Sequence, residues 1–373
     1  MSYPIPIEMH ARESLDWNSG GRTTKTARRK CSHRVRHWDM VRAAAASACT
    51  LASTVVALAS FGSTVQVVGP GLLPHICATA DSCATEALAL LLQWQLGFEH
   101  GPGNTTTGAA FRAVTVPKAT VLAARAVELD PHSAKAATAH STALLLNFEW
   151  TAAAAEANRA VALNRSDPAA LGWLSKIQTS QQQLGIALQT AEQAEALAPT
   201  DPGFAIGTGA VLYFMEDYAN LRDKLLPVVH RDPSNVAAWD WLAMAYKGLG
   251  NYTEALQCYH AALELAPDDV KYPVTELQAS VAHTYGVAGR QADGKKVLEQ
   301  LLETAKVAYV EPVRLAFVYT ALGQHEEALQ ELSAATSLYQ WELAFVRSEP
   351  WFKPLHGSRG FATLVEHIGF PSH

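Results

Sequence analysis

Between Asp130 and Trp341 one helix-pair pattern returns every 34 residues. A unit of that length holds a single helical hairpin, which cannot bury its own apolar face, so neighbouring hairpins must stack. Stacking at a fixed step gives an all-α, open α-solenoid with an extended concave surface. The clearest unit is Val236–Asp269. Trp239, Leu242, Ala243 and Tyr246 lie at i, i+3, i+4 and i+7, one face of a first helix. Gly248 and Gly250 end that helix, and Gly250 supplies the permissive backbone of a tight turn. Tyr252 follows, Ala255, Tyr259 and Ala262 line a second helix, and Ala266-Pro267 stops it. Small residues let the helix axes approach, while Trp239, Tyr246 and Tyr259 fill the space between layers.

The frame steps backward through Pro202–Asn235, Pro168–Asp201 and Ala134–Asp167, with Leu212, Tyr218, Leu171, Ala187, Leu144 and Trp150 at matching offsets. A weaker first unit pairs a helix over Cys83–Phe98 with one ending at Ala119, Ala123 and Ala126, across a loop at Gly101–Gly108. Forward, after a short insertion near Val270–Val274, Thr275–Ala308 and Tyr309–Glu342 keep the pattern. The order of large aromatic, Leu, small residue, Tyr, Gly, Ala, aromatic, Ala and Pro resembles the tetratricopeptide repeat (TPR). That resemblance implies a right-handed superhelix of about seven hairpins over residues 83–342, and a protein that binds other proteins.

The last thirty residues change style. Phe345, Trp351, Phe352, Leu355, Phe361, Leu364, Ile368 and Phe370 crowd a stretch broken by Pro350, Pro354, Gly357, Gly360 and Pro371. Residues 343–373 read as a C-terminal aromatic cap that covers the last repeat. Tyr319-x-x-Leu322-Gly323, Glu349-Pro350-Trp351-Phe352-x-Pro354-Leu355, Arg359-x-Phe361-x-x-Leu364 and Ile368-Gly369-Phe370-Pro371 resemble the end of a family of bacterial TPR regulators. In those proteins the array follows a winged-helix, Ser/Thr kinase or cyclase domain. No such output domain stands before the repeats here, and there is no Gly-rich phosphate loop. The resemblance implies a sensor or assembly module without its effector.

Charge is uneven. Residues 1–42 carry nine Lys/Arg and four Asp/Glu and read as a basic, disordered leader. The total of −6 then leaves the remainder at −11, a poor surface for nucleic acid, because phosphate neutralisation dominates that affinity. Residues 43–68 are apolar and uncharged, long enough to span a bilayer and preceded by Arg28, Arg29, Lys30, Arg34, Arg36 and Arg42. The same stretch also fits a signal peptide that starts at Met40 and is cleaved near Ala59. The expectation is a single-pass membrane protein with an exported array, or a secreted or periplasmic one, ahead of a cytosolic product. Membrane contact would run through 43–68. Cys77 and Cys83 would close a small loop on export or stay as two free thiols, and Cys258 reads as a packing residue.

No catalytic constellation emerges. The histidines are scattered without HExxH spacing, and no CxxC pair or Cys/His cluster suggests a metal. Gly101–Gly108 follows a helix and lacks a Gly-Lys-Ser/Thr ending. The reading is a non-enzymatic protein without a cofactor.

What the TPR resemblance implies for binding is a groove lined by the first helix of each repeat. Its outward positions hold Lys135, Trp173, Lys176, Tyr213, Asp240, Trp241, Met244, Lys247, Glu276, His283, Arg314 and Phe317. Aromatics that anchor and a few charges that orient suit an extended peptide or a partner helix. No paired Lys and Asn on adjacent first helices offers a carboxylate clamp. Two functions follow. One is an exported or tethered interaction scaffold. The other is a sensory module that acts on a signalling or transcription effector encoded elsewhere.

Overall fold

The computed structural model describes residues 77–95, 105–266, 271–338 and 341–371. Among them are fifteen α-helices, two 3-10 helices and no strand. The helices are α1 (Ala80–Gln95), α2 (Thr105–Leu129), α3 (Ala134–Leu146), α4 (Trp150–Leu163), α5 (Pro168–Ser180), α6 (Leu184–Leu197), α7 (Pro202–Phe214) and α8 (Tyr218–Arg231). They continue as α9 (Val236–Gly248), α10 (Tyr252–Leu265), α11 (Lys271–Val287), α12 (Gln291–Ala305), α13 (Pro312–Ala321), α14 (His325–Thr336) and α15 (Arg359–Ile368). The 3-10 helices, Trp341–Phe345 and Pro350–Leu355, stand between α14 and α15. Consecutive pairs form seven antiparallel hairpins from α1/α2 to α13/α14, and each hairpin packs on the next. This is the TPR α-solenoid expected from the period.

The local chemistry repeats with the fold. Ser133, Asp167, Asp201 and Asn235 stand 34 residues apart, each just before a first helix. Each side chain accepts a hydrogen bond from a backbone N–H of the first turn, at 3.2, 2.9, 2.8 and 3.0 Å. Such caps satisfy donors that have no intrahelical partner. Pro168, Pro202 and Pro312 sit at the start of their helices, where a missing N–H costs nothing. Alanines 136, 137, 139, 143, 153, 157 and 160 are almost wholly buried, which sets the close approach of α3, α4 and their neighbours. Trp239 sits at the partly exposed edge instead, its indole N–H donating to the Pro233 carbonyl at 2.9 Å.

Three boundaries differ from the sequence reading. The first helix runs from Ala80 to Gln95 rather than from Cys83 to Phe98. Residues 105–108, expected in a loop, already belong to α2. The insertion near Val270 lengthens α11 to 17 residues, against 13 in α5, α7 and α9, so it adds a turn rather than a loop. Cys77 and Cys83 form a disulfide, and Cys258 is a buried free thiol in α10.

The expectation of a membrane-anchored, secreted or periplasmic protein is corrected. No helix of the described residues is long and apolar enough to cross a membrane. The longest, α2 with 25 residues, carries Arg112, Lys118, Arg125 and Glu128. Residues 1–42 and the stretch 43–68 lie outside the described residues, and neither an anchor nor a signal is shown.

The closing segment covers the last hairpin and then continues across the first helices. Phe361, Leu364 and Ile368 of α15 join a buried cluster that holds Ala328 and Leu332 of α14, Trp150 of α4 and Ile177 of α5. Phe370 stacks on Trp150 with ring centroids 4.7 Å apart. Residues near the C-terminus therefore touch the second hairpin, far outside nearest-neighbour stacking.

Candidate functional site: the concave cavity

The first helices α5, α7, α9, α11 and α13 form the inner layer, and the closing segment lies against it. Between them is a cavity of about 760 Å³. Trp173, Lys176, Tyr213, Asp240, Trp241, Met244, Lys247, His283, Arg314 and Phe317 all line it. Glu276 lines it as well, whereas Lys135 pairs with Asp81 at 2.8 Å away from it. A fixed period explains this convergence: positions with equal offsets project from equal faces of successive helices.

Five of these residues meet the closing segment. The Tyr213 hydroxyl donates to Glu349, which also accepts from the Trp351 backbone N–H at 3.2 Å. Phe317 stacks on Phe352 at 4.6 Å, and His283 meets Trp351 edge-on at 4.9 Å. The Lys247 ammonium lies over the Trp351 ring at 4.8 Å. Arg314 pairs with Glu342 at 2.9 Å, with Glu276 at 2.6 Å and with Glu311 at 3.2 Å. Three internal carboxylates thus hold a guanidinium that the sequence offered to a partner. Trp241 stands edge-on to Tyr213 at 5.6 Å, and the Lys176 ammonium lies over Trp173 at 4.2 Å.

Burial shifts most of these charges. The Lys176 ammonium is pushed down to about 8 by burial alone. Lys247 also falls to about 8 by burial, against the attraction of Glu349 and Asp240. Burial raises the Asp240 carboxyl to about 6, although Arg314 and Lys247 pull it down. Burial likewise raises Glu349 to about 7 against its hydrogen bonds to Tyr213 and Trp351. His283 is held well below its ordinary value by burial and by Lys247, so it is neutral at pH 7. The cavity is thus an apolar, aromatic enclosure with a few expensive charges set in it.

Sequence reasoning missed the far wall. Phe345, Glu349, Trp351 and Phe352 come from the closing segment, and Phe204 and Phe214 come from α7. The available signal was composition: a stretch that alternates acids with aromatics matches a groove that alternates cations with aromatics. No group of three or more possible metal ligands occurs among the described residues.

Residues 236–269 match the family model described as tetratricopeptide repeat. That match falls on the clearest unit, α9/α10, and the same hairpin recurs on both sides of it. The chain therefore carries a tetratricopeptide repeat at 236–269, and its stacked hairpins have the TPR solenoid fold. No curated protein matches the chain in sequence. Among solved structures, a tetratricopeptide repeat protein from Parabacteroides merdae is similar at 14% identity and a TM-score of 0.48, over 72% of this chain and 98% of that one. PilF of Pseudomonas aeruginosa is similar at 16% identity and a TM-score of 0.42, over 60% and 92%. A thermophilic TPR protein of Thermus thermophilus is similar at 19% identity and a TM-score of 0.43, over 53% and 98%.

Proposed function

We propose that this protein is an interaction scaffold whose concave face binds a segment of a protein partner. One observation carries the reading: eleven of the twelve residues assigned by their offset in the repeat converge on one cavity of about 760 Å³. Rigid aromatics such as Trp173 and Trp241 supply contact area at low entropic cost, and the buried charges orient what enters. A photo-reactive side chain at Met244, on the concave face, tests this against one at Ile186, which is 55% exposed on α6. Cross-linking in the cells that make the protein is expected to give a discrete partner from Met244 alone. Binding of that purified partner is then expected to weaken at least tenfold in Trp241→Ala, about 1.4 kcal/mol. Equal yield from both positions, or unchanged affinity in Trp241→Ala, defeats the reading.

A further inference from the structure

Three polar groups around the cavity lack a hydrogen-bonded or ion-paired partner among the described residues. Lys247 is 4% exposed, and its ammonium faces the rings of Trp351 and Tyr259 at 4.8 and 5.7 Å. Glu349 and Asp240 attract it at longer range, and neither forms a salt bridge with it among the described residues. Asp240 Oδ1 and His283 Nδ1 are buried without a hydrogen-bond partner. Buried polar groups are nearly always paired, so an ammonium, a carboxylate oxygen and an imidazole nitrogen left over around one cavity mark a ligand site. The closing segment matters here too. It walls off part of the concave face and leaves a volume of the size that small ligands fill.

Spacing defines the ligand. Asp240 and Lys247 lie seven residues apart on one face of α9, a rise of roughly 10 Å at 1.5 Å per residue. An extended peptide advances about 3.4 Å per residue, so three residues cover that rise. We infer that the cavity binds a short zwitterionic peptide, about three residues long, with its ammonium at Asp240, its carboxylate at Lys247 and an apolar or aromatic side chain among the cavity rings. Lys247, pushed down to about 8, still carries its charge at pH 7. The inference rests on the concave face being the binding surface and narrows what it takes to a compact ligand with two free ends.

Calorimetric titration of the full chain at neutral pH with glycyl-phenylalanyl-glycine tests this. Its N-acetylated, C-amidated and doubly blocked forms and free phenylalanine serve as controls. The free-ended tripeptide is expected to bind, and each blocking group to weaken it at least tenfold. Free phenylalanine, too short to reach both charges, is expected to bind more weakly. Lys247→Met should erase the preference for a free carboxylate, and Asp240→Asn the preference for a free ammonium. Both variants should melt no lower than the parent, which separates a lost ligand contact from a lost fold. No binding by the tripeptide, or equal binding by its doubly blocked form, overturns the inference. If the tripeptide fails while Met244 still cross-links a partner, this inference falls and the scaffold reading stands. If the tripeptide binds with the expected end-dependence and Met244 captures nothing, the scaffold reading falls and the small-ligand site stands.

Discussion

A single backbone position shows how the repeat balances chemistry against geometry. The turn between the two helices needs one residue with positive φ, and it recurs at Phe148, Gln182, Glu216, Gly250, Gly289 and Gly323, with φ between 59 and 77°. Glycine takes that conformation freely, whereas an L side chain costs about 1–2 kcal/mol there. Phe148 offsets the strain by stacking on Trp150 at 5.5 Å, and Glu216 by its ion pair with Lys353. Gln182 is exposed. Gln182→Gly is therefore expected to stabilise the protein by about 1 kcal/mol, read as a higher urea midpoint at constant m-value. No gain, or a loss, would mean that the left-handed turn is not what limits this position. Glu349 gives a second test at the same scale. Its carboxyl is raised from 4.5 to about 7, so between those values the folded chain keeps a proton that the unfolded chain has released. Stability from this group is fully present below about pH 4.5 and is lost as the pH rises through about 7, a change on the order of 3 kcal/mol. Asp240, raised from 3.8 to about 6, adds a loss of the same sign at lower pH. Glu349→Gln keeps an acceptor for Tyr213 but cannot ionise. Melting followed by near-ultraviolet circular dichroism should show a flatter decline between about pH 5 and 7.5 than in the parent, and parallel curves would refute the assignment.

Helices and segments obey packing limits that single residues reveal. A Cβ built on Gly286 of α11 would lie 2.8 Å from both the Cβ and the carbonyl oxygen of Ala321 in α13. Backbone cannot swing aside as a side chain can, so Gly286→Ala must push α11 and α13 apart. The expected cost is about 1–3 kcal/mol, with a lower thermal midpoint, and an unchanged midpoint would mean that the helices part without loss. At this scale the sequence was largely readable. Helices α3, α5, α7 and α9 begin at residues 134, 168, 202 and 236, where the period puts them, and a known phase fixes which face each side chain joins. That is why Asp240, Trp241, Met244 and Lys247 could be assigned to the inner layer from one helix. The path of residues 341–371 was not readable in the same way. Aromatic density says that the segment must be covered, but no local pattern says whether α14 or α4 does it. The contact of Phe370 with Trp150 spans most of the array, and nothing in either neighbourhood encodes it. The unmatched groups at Lys247 and Asp240 were hidden for the same reason, since pairing is a property of the assembled wall.

For the whole molecule, the closing segment changes how the solenoid holds together. In a simple array each repeat touches only its neighbours, and unfolding can begin at either end and spread. Here the cluster that unites Trp150, Ile177, Leu332, Leu343, Phe352 and Phe361 ties the second and third hairpins to the last. The ion pairs of Arg314 with Glu342 and of Lys353 with Glu216 add links from the same segment to α13 and to the turn before α8. Fraying of the last hairpin must then also release the inner layer, so the described hairpins are expected to unfold in one transition. Urea curves followed by tryptophan fluorescence and by far-ultraviolet circular dichroism should coincide in the parent. Phe352→Ala removes a ring that is 1% exposed and stacked on Phe317, at an expected cost of about 3–5 kcal/mol. Of the nine tryptophans, Trp173, Trp241 and Trp351 line the concave face and Trp150 packs in the cluster under the closing segment, so fluorescence weights that region more than helix content does. In the variant the fluorescence transition should therefore fall to lower urea and separate from the helical one, with a broader curve and a smaller apparent m-value. If the two probes still coincide and the whole curve simply shifts, the hairpins are cooperative without the segment, and the tie across the concave face is not what unites them.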